Sequence, residues 1–215
     1  MIAIIDYQAG NLASVKRAVR SLGFDCQTTR DQDQIISADR VIFPGVGAAG
    51  SAMADLKQTG MDEVLETLFR QGTPLLGICL GTQIIFHFSH EDGGTDCLGL
   101  LPGEVRQFPS DMTEGGSRLK VPHMGWNRVD FVMEHPVLSG LEPDAEFYFV
   151  HAYYPVPRDD SLVAGWTDYG LRFASVIARD SLIAVQFHLE KSGRPGLKIL
   201  KNFCSWDAGN ARSKN

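Results

Sequence analysis

Short apolar runs alternate with stretches of helical periodicity through the first half of the chain. Apolar runs of this length predict strands, and apolar positions that recur every three or four residues predict amphipathic helices. The predicted strands occupy residues 3–7, 24–29, 39–43 and 74–79, and the predicted helices residues 12–22, 61–69 and 82–88. Asn11 is expected to cap the first helix, and Gly23 and Gly72 to end the first two. This alternation is typical of a parallel sheet with helices on both faces.

The second half has a different pattern, in which β-like runs follow one another between polar loops. The predicted strands occupy residues 103–108, 126–132, 147–154, 162–166, 174–179 and 182–187, the loops residues 91–95 and 110–117, and a last helix residues 195–206. The last two strands are predicted to pair as a hairpin around Asp180 and Ser181. The predicted fold class is therefore α/β, with a central, mostly parallel sheet flanked by helices and an additional antiparallel β region in the second half. No repeat or shift in composition divides the chain, so we expect one domain over residues 1–207 and a polar tail over residues 208–215.

Composition argues against several classes of protein. With 215 residues and 44% hydrophobic content the chain can bury an ordinary globular core, and its net charge of −6 argues against nucleic acid or an anionic membrane as partner. Its start, MIAIID, has no basic segment before the apolar run and is typical of a strand rather than a signal peptide. The 4 cysteines lie far apart without a C-x-x-C pair, which argues against a zinc site or a disulfide framework. We expect a cytoplasmic protein with reduced thiols and with no metal or organic cofactor.

The segment with the strongest chemical signal is residues 74–83, PLLGICLGTQ. An apolar run meets Gly77-x-Cys79-x-Gly81 and then a helix-like segment, which is the cysteine version of the nucleophile elbow G-x-S-x-G. The glycines permit a sharp turn, and a helix start favours the thiolate form of a cysteine. The N–H of Leu80 is then available to an oxyanion. Taken alone, the motif is equally consistent with a buried structural cysteine.

A thiol nucleophile needs a base, and two further segments could complete a site. His188 and Glu190 follow the apolar run 182–187, and on an extended segment they share a face, so the carboxylate can hold the imidazole tautomer. Residues 44–47, PGVG, follow a predicted strand, and their glycines let a backbone N–H point toward Cys79 as an oxyanion donor. Alone, the first pair is more often two surface residues and the second a simple turn. The three segments together favour a catalytic site.

Residues 77–83 and 186–190 resemble the class I (triad) glutamine amidotransferases. Within that family, further segments are similar to the glutaminase subunits of imidazole glycerol phosphate synthases. These segments are residues 11–15, 44–47, 121–127 and 148–154, and the resemblance extends from residue 4 to about residue 203.

The resemblance implies a role for each of these residues. Cys79 would attack the side-chain amide of glutamine, His188 would serve as base and then as acid, and Glu190 would orient His188. The products would be glutamate and ammonia. The oxyanion-binding and substrate-binding residues that the resemblance implies are Gly45, Val46, Gly47, Leu80 and Gln83.

The resemblance also implies a partner. In the family, the glutaminase forms a heterodimer with a (β/α)₈ barrel synthase (cyclase) subunit, to which it passes ammonia. The barrel then makes imidazole glycerol phosphate and an aminoimidazole carboxamide ribotide (AICAR) in histidine biosynthesis. The residues expected to face the partner, for which loop packing is an equally good explanation, are Asn11, His123, Trp126 and His151. The glycines of the 44–47 loop allow two backbone states, and we expect the partner to favour the one that aims a donor at the oxyanion.

Three departures from the family's pattern keep other functions open. Leu189 stands where proline is usual, residues 8–9 (QA) replace a glycine-containing turn, and residues 48–50 (AAG) stand where an alanine and an aromatic residue are commoner. The chain could therefore be a paralogue that feeds ammonia to a different barrel, for example in sugar amidination for surface polysaccharides. Two further alternatives are a catalytically dead regulatory relative and a cysteine hydrolase of the α/β-hydrolase type. In that type, the acid precedes the histidine along the chain.

Overall fold

The computed structural model describes residues 1–7 and 11–208. Its helices are α1 Leu12–Ser21, α2 Gln32–Ile36, α3 Ala49–Thr59, α4 Met61–Gln71, α5 Leu80–Gln83 and α6 Gly193–Ser205. Its strands are β1 Ile2–Ile5, β2 Cys26–Thr29, β3 Arg40–Gly45, β4 Leu75–Cys79, β5 Phe88–Ser89, β6 Thr95–Asp96, β7 Gly103–Gln107, β8 Thr113–Glu114, β9 Ser117–Arg118, β10 His123–Arg128, β11 Asp130–Phe131, β12 Glu146–His151, β13 Tyr153–Pro157, β14 Val163–Asp168, β15 Arg172–Arg179 and β16 Leu182–Val185. Short 3₁₀ turns lie at Glu91–Gly93, Pro136–Leu138, Asp160–Leu162 and Leu189–Lys191.

One large sheet forms the centre of the molecule, with the strand order β11-β14-β15-β16-β4-β3-β1-β2. The strands from β16 to β2 run parallel to one another, and β15, β14 and β11 continue the sheet in antiparallel pairing. Alternate residues of β1 enter opposite layers: Ile4 packs with α1 and α6, whereas Ile5 packs with α3 and α4. Because both faces are covered, each fully buried aliphatic side chain here contributes about 1.5–3 kcal/mol. The predicted α/β fold class is confirmed.

Smaller sheets form beside the large one, mostly from the second half of the chain. One has the order β13-β7-β5-β6, and β10 pairs with β12 in a two-stranded antiparallel ribbon, the β10–β12 ribbon, whose register places His123 opposite His151. The predicted hairpin around Asp180 and Ser181 is present as the antiparallel pair β15–β16, with Asp180 at a φ of 52°. The predicted antiparallel region is thus partly separate and partly an extension of the main sheet.

The predicted helices are found where the periodicity is strong. The helices α1 and α4 match the predictions, and Gly72 ends α4 in the left-handed conformation with a φ of 75°. Asn11 occupies the N-cap position of α1, but its side chain makes no capping hydrogen bond. The prediction of a capping side chain is therefore wrong, although the position is right.

The helix predicted at residues 82–88 is wrong, because α5 ends at Gln83 and Phe88 belongs to β5. The carbonyl groups that would continue the helix are taken by another segment. Leu98 donates its N–H to the carbonyl of Ile84, and Leu101 donates to that of Ile85, at 2.9 and 3.0 Å. The nucleophile elbow is thus followed by a single helical turn.

Other boundaries also differ from the predictions. The sequence pattern does not reveal α2 and α3, and the strand predicted at residues 147–154 is divided at Ala152 into β12 and β13. Ala208, the first residue of the predicted polar tail, is buried in the core. The remainder of that tail, residues 209–215, and the first three residues of the turn expected at residues 8–11 lie outside the described residues.

Candidate active site

The elbow places Cys79 in a strained backbone conformation at the carboxyl end of β4. Its φ of 56° and ψ of −109° are rare for a residue with a side chain and cost on the order of 1–3 kcal/mol. The flanking glycines are required by space: a Cβ on Gly77 would lie 2.9 Å from that of Ala184, and one on Gly81 would overlap the carbonyl oxygen of Phe43. Close packing against β3 and β16 therefore explains the spacing G-x-C-x-G.

His188 and Glu190 form a buried pair next to this elbow. The Nδ1 atom of His188 lies 2.8 Å from Oε1 of Glu190, and the two side chains are 3% and 1% exposed. The segment is not extended as expected, because Leu189–Lys191 forms a 3₁₀ turn. The turn nevertheless brings the carboxylate back to the imidazole. The side-chain amide of Asn11 donates to the same Oε1, and Oε2 has no hydrogen-bond partner in the described part of the chain.

The environment of His188 favours its protonated form. Burial alone lowers the pKa of this imidazole, but side-chain hydrogen bonds to Cys79 and to Glu190, together with their charges, raise it to about 9. An imidazolium at this position can donate one N–H to the carboxylate and the other to the sulfur. The pair is therefore arranged to deliver a proton to a leaving group at Cys79.

Backbone contacts hold the histidine segment in place. The N–H of His188 donates to the carbonyl of Tyr148 at 2.9 Å, and the Ser192 hydroxyl donates to the carbonyl of His188 at 2.6 Å. Gly196 of α6 packs so closely on the 3₁₀ turn that a Cβ there would overlap the Leu189 carbonyl oxygen. Leu189 itself is fully buried. Burial of this leucine side chain contributes about 1.5–3 kcal/mol and so compensates for the backbone rigidity that a proline would have supplied.

The predicted oxyanion loop begins beside the nucleophile. Gly45 is the register partner of Cys79 across β3 and β4, and a Cβ on it would overlap the Tyr7 hydroxyl and lie 3.0 Å from Cβ of Leu80. Gly47 has a φ of 97° and no neighbouring atom within 4 Å of the place where a Cβ would be. Glycine at this point permits the peptide between Val46 and Gly47 to turn without a clash. Gly45 and Leu80 thus adjoin the backbone of Cys79, and Val46 and Gly47 continue into an open loop.

A family model described as "Glutamine amidotransferase class-I" matches residues 3–206. The chain belongs to the class I glutamine amidotransferases. This match confirms the expected family and enzyme class and sets aside the α/β-hydrolase alternative.

Individual relatives cover nearly the whole chain. The "Imidazole glycerol phosphate synthase subunit HisH" of Nitratidesulfovibrio vulgaris strain DP4 is 52% identical over 206 residues, which are 94% of this chain and 95% of that protein. The proteins of the same name from Moorella thermoacetica and Dehalococcoides mccartyi strain CBDB1 are 49% and 43% identical, over 94% and 99% of this chain and 93% and 100% of their own.

Solved structures of lower identity share the fold. The structure of PurLQS from Thermotoga maritima superposes with a TM-score of 0.73 at 16% identity, covering 94% of this chain and 96% of that one. The glutaminase domain of Trypanosoma brucei CTPS, solved with bound acivicin, gives a TM-score of 0.62 at 15% identity, covering 96% and 94%. At these identities the likeness shows the fold alone.

The residues that were expected to face a partner have different surroundings in this amidotransferase. Trp126 is 52% exposed on the β10–β12 ribbon, whereas His123 and His151 are 2% and 6% exposed and lie inside it. Asn11 is directed at Glu190, as described above. Contact of these residues with a partner stays a prediction, and the burial of the two histidines favours packing as their role in the free chain.

Gln83, the expected substrate contact, is buried behind the elbow. Its side-chain amide donates to the carbonyl of Tyr153 at 2.9 Å and to Oε1 of Gln186 at 3.1 Å. Gln186 in turn donates to the sulfur of Cys79 over 3.9 Å. The predicted contact of Gln83 with a glutamyl intermediate stays a prediction. Its observed contacts connect it to Cys79 through Gln186.

Three residues near the site were not singled out from the sequence. The buried Tyr7 hydroxyl lies against Gly45 without a hydrogen-bond partner in the described ranges, and burial, ahead of the charges of Cys79 and Asp55, raises its pKa. Glu91 accepts the N–H of Ala49 at 2.6 Å and so holds the start of α3, which follows the predicted oxyanion loop. Gln186 contacts the sulfur. Glu91 gave no signal in the sequence because it comes from a polar loop 42 residues away.

Within the described residues, no group of three or more His, Cys, Asp or Glu side chains could hold a metal ion. The helices of residues 1–7 and 11–208 include none that is both long enough and apolar enough to cross a membrane.

Proposed function

We propose that the chain is the glutaminase subunit of an imidazole glycerol phosphate synthase and that it works through a Cys79–His188–Glu190 triad. The observation that carries the proposal is the strained elbow of Cys79 beside the buried His188–Glu190 pair, with its 2.8 Å contact. Relatives that carry this subunit's name are 43–52% identical over nearly the whole chain. These relatives favour this function over a paralogue that serves another barrel.

The chemistry follows from the arrangement of the triad. The sulfur of Cys79 attacks the side-chain carbonyl carbon of glutamine. The carbonyl oxygen becomes an oxyanion, which accepts hydrogen bonds from the backbone N–H groups of Leu80 and of the 44–47 loop. His188 then gives its proton to the amide nitrogen, and ammonia leaves a γ-glutamyl thioester on Cys79. Water attacks the thioester, with His188 taking the water's proton, and glutamate and the free cysteine are released.

A barrel partner would receive the ammonia. The exposed face of the β10–β12 ribbon carries Met124 and Trp126, two residues apart and 62% and 52% exposed, so both point away from the ribbon's buried side. Exposed large apolar side chains of this kind support a protein–protein contact. We propose that this face docks a (β/α)₈ cyclase subunit, which uses the ammonia to form imidazole glycerol phosphate and AICAR. The cytoplasm is the compartment that suits the enzyme, since its cysteines are free thiols.

The test separates glutamine hydrolysis from use of ammonia. In the complex with the barrel subunit, Cys79→Ala should abolish synthesis from glutamine and leave synthesis from ammonium salts intact. Cys26→Ala is the matched control, because Cys26 is also a buried free cysteine but lies in β2. Synthesis from glutamine that persists in Cys79→Ala would overturn the proposal. A wild-type complex that uses ammonium salts but not glutamine would favour the catalytically dead relative.

A further inference from the structure

A continuous line of hydrogen bonds joins the β10–β12 ribbon to the nucleophile. We call it the buried polar line, and its members are Asn127, His123, His151, the Tyr153 carbonyl, Gln83, Gln186 and Cys79. The ribbon part runs from Nδ2 of Asn127 to Nε2 of His123 (3.3 Å), from Nδ1 of His123 to Nε2 of His151 (3.1 Å), and from Nδ1 of His151 to the Tyr153 carbonyl (2.7 Å). The elbow part continues through the contacts of Gln83 and Gln186 described above and reaches the sulfur.

Hydrogen-bond chemistry fixes the direction of the ribbon part. The Tyr153 carbonyl can only accept, so Nδ1 of His151 carries the proton. Burial, the largest influence on both rings, lowers the pKa of His151 to about 3 and that of His123 to about 4, so at neutral pH each ring has one proton. Nε2 of His151 therefore accepts, and His123 donates to it from Nδ1. Nε2 of His123 is left to accept from Asn127.

The outer end of the line has a fixed orientation as well. The amide nitrogen of Asn127 also donates to the Asp168 carbonyl at 2.9 Å, and its oxygen accepts the N–H of Arg128 at 2.8 Å. Exchange of the amide oxygen and nitrogen would lose both contacts. Each hydrogen bond within the ribbon part of the line is thus donated inward, toward the Tyr153 carbonyl.

Aromatic rings isolate the two histidines from other partners. His123 stacks between Tyr169 and Phe149, with ring centroids 3.9 and 4.8 Å away, and His151 lies 5.2 Å from Phe108 and from Phe173. A ring nitrogen that lost its partner in such surroundings would be left buried without a hydrogen bond, which destabilises the fold. The buried rings therefore hold the line in one geometry, whereas histidines at the surface could exchange these partners for water.

The two halves of the line meet at one atom. The carbonyl oxygen of Tyr153 accepts from His151 on the ribbon side and from Gln83 on the elbow side. Gln83 then holds Gln186, whose amide faces the sulfur. A displacement of this carbonyl would move the side chains that support Cys79.

We propose that His151 is a positioning residue for Cys79, acting through the Tyr153 carbonyl, Gln83 and Gln186. The inference rests on the proposed glutaminase site, since it assigns the line's purpose to the nucleophile of that reaction. It also makes the ribbon that carries the proposed partner surface a direct structural support of the nucleophile.

Two substitutions of His151 separate the two sides of the line. Asparagine matches the Nδ1 side of the imidazole, so His151→Asn can keep a donor on the Tyr153 carbonyl while it loses the acceptor for His123. Glutamine matches the Nε2 side, so His151→Gln can keep the acceptor for His123 while it loses the donor to Tyr153. His135→Gln is the control, because His135 is a histidine outside the line whose pKa burial lowers to about 4.

The readout is the rate at which 6-diazo-5-oxo-L-norleucine, a glutamine-like alkylating agent, modifies Cys79 in the full-length chain complexed with its barrel partner. Intact mass follows the adduct, and denaturant unfolding of the same variants gives their stability. We expect His151→Gln to slow alkylation at least about tenfold and His151→Asn to stay within about threefold of wild type. His135→Gln should lose stability without slowing alkylation.

Each outcome bears on a different claim. Equal alkylation rates in wild type and His151→Gln would overturn the positioning role, as would a rate that falls in all three variants in proportion to lost stability. A wild-type complex that forms no adduct would contradict the proposed glutaminase site instead.

A second measurement does not depend on how the variants fold. Nitrogen-15 NMR of the wild-type chain should show protonated Nδ1 and unprotonated Nε2 in both His123 and His151 at neutral pH. A protonated Nε2 on His151 would reverse the direction of the line and overturn the proposal.

Discussion

The elbow edge of the main sheet and the β10–β12 ribbon both bury histidines, but the elbow favours a protonated imidazole and the ribbon favours neutral ones. His188 lies between a carboxylate and a thiol, which together raise its pKa to about 9 although burial opposes this. His123 and His151 face each other, an amide and a carbonyl, and burial lowers their pKa values to about 4 and about 3. One residue type is therefore suited to proton transfer in one place and to fixed hydrogen bonding in the other, according to whether an anion is present.

The two regions also differ in what holds them. At the elbow, backbone groups pack so closely that only glycine fits at positions 77 and 81. In the ribbon, the register of β10 and β12 sets the histidines opposite each other, and side-chain rings enclose them. Substitutions of the elbow glycines should therefore lower the stability of the fold, whereas substitutions in the ribbon should mainly change side-chain hydrogen bonds or partner association.

The largest effect is expected from Gly81→Ala. A methyl group there would overlap the Phe43 carbonyl oxygen, which belongs to the backbone and cannot move away cheaply. We expect a loss of about 3 kcal/mol or more of unfolding free energy, or no folded protein at all, by denaturant unfolding. Gly50→Ala is the control: it lies within α3, faces only the Thr95 hydroxyl at 3.2 Å, and should be neutral or stabilising. Equal stabilities for the two variants would contradict the account of the elbow.

The next effect is expected from Glu190→Gln, which removes the charge beside His188 and keeps the shape. The imidazolium then loses its buried counter-charge, so kcat for glutamine hydrolysis should fall by about a hundredfold or more with a smaller change in KM. Glu104→Gln is a matched control, because its carboxylate also lies 2.8 Å from a histidine, His90, but at the surface. Similar kcat values for the two variants would argue that the buried pair has no catalytic role.

A smaller effect, confined to association, is expected from Trp126→Ala in the ribbon. Because the side chain is 52% exposed, its removal should leave the stability of the free chain nearly unchanged. The Kd for the barrel partner should rise at least about tenfold, as measured by titration calorimetry. Val132 follows β11 directly and is 57% exposed, so Val132→Ala is the control and should have little effect on the Kd. An unchanged Kd for Trp126→Ala would remove this face from the proposed interface.

The smallest effect is expected in the pH dependence of the free energy of unfolding, to which the histidines of the two regions contribute with opposite sign. The raised pKa of His188 stabilises the fold fully below about pH 6.5, and this contribution is lost as the pH rises through about 9. The lowered pKa of His151 has the opposite sign: its contribution is present above about pH 6.5 and is lost as the pH falls toward about 3. The stability advantage of wild type over His151→Asn should therefore shrink between pH 7 and pH 4. The advantage over Glu190→Gln should shrink between pH 7 and pH 9, and the reverse pattern in denaturant unfolding would contradict the assigned charge states.

The sequence predicted the elements whose signals are local. Short apolar runs located the main strands, helical periodicity located the helices α1, α4 and α6, and the glycine spacing located the elbow. His188 and Glu190, two residues apart, could be paired from their spacing once the elbow and the 44–47 loop were considered with them, although the segment proved to be a 3₁₀ turn rather than extended. The helix α3 was missed because two of its four buried residues are alanine, which gives a weak apolar pattern.

Contacts between distant segments could not be predicted from the sequence. Glu91 reaches the loop at Ala49, and Gln83 meets Tyr153, only because the tertiary fold brings separate loops and strands together. The end of α5 has the same origin, since the carbonyls of residues 84 and 85 bond to the segment at residues 98–101. Tertiary hydrogen bonding overrode local helix propensity there.

The most direct test of the central claim is the rate of glutamate release from glutamine by the wild-type chain. It should be measured for the chain alone, with its barrel partner, and with that partner and the ribotide substrate together. The account predicts a large rise in the full mixture and none when Cys79→Ala replaces wild type. The same low rate in all three wild-type mixtures would contradict the assignment to an imidazole glycerol phosphate synthase, and an equal rise with Cys79→Ala would contradict the triad.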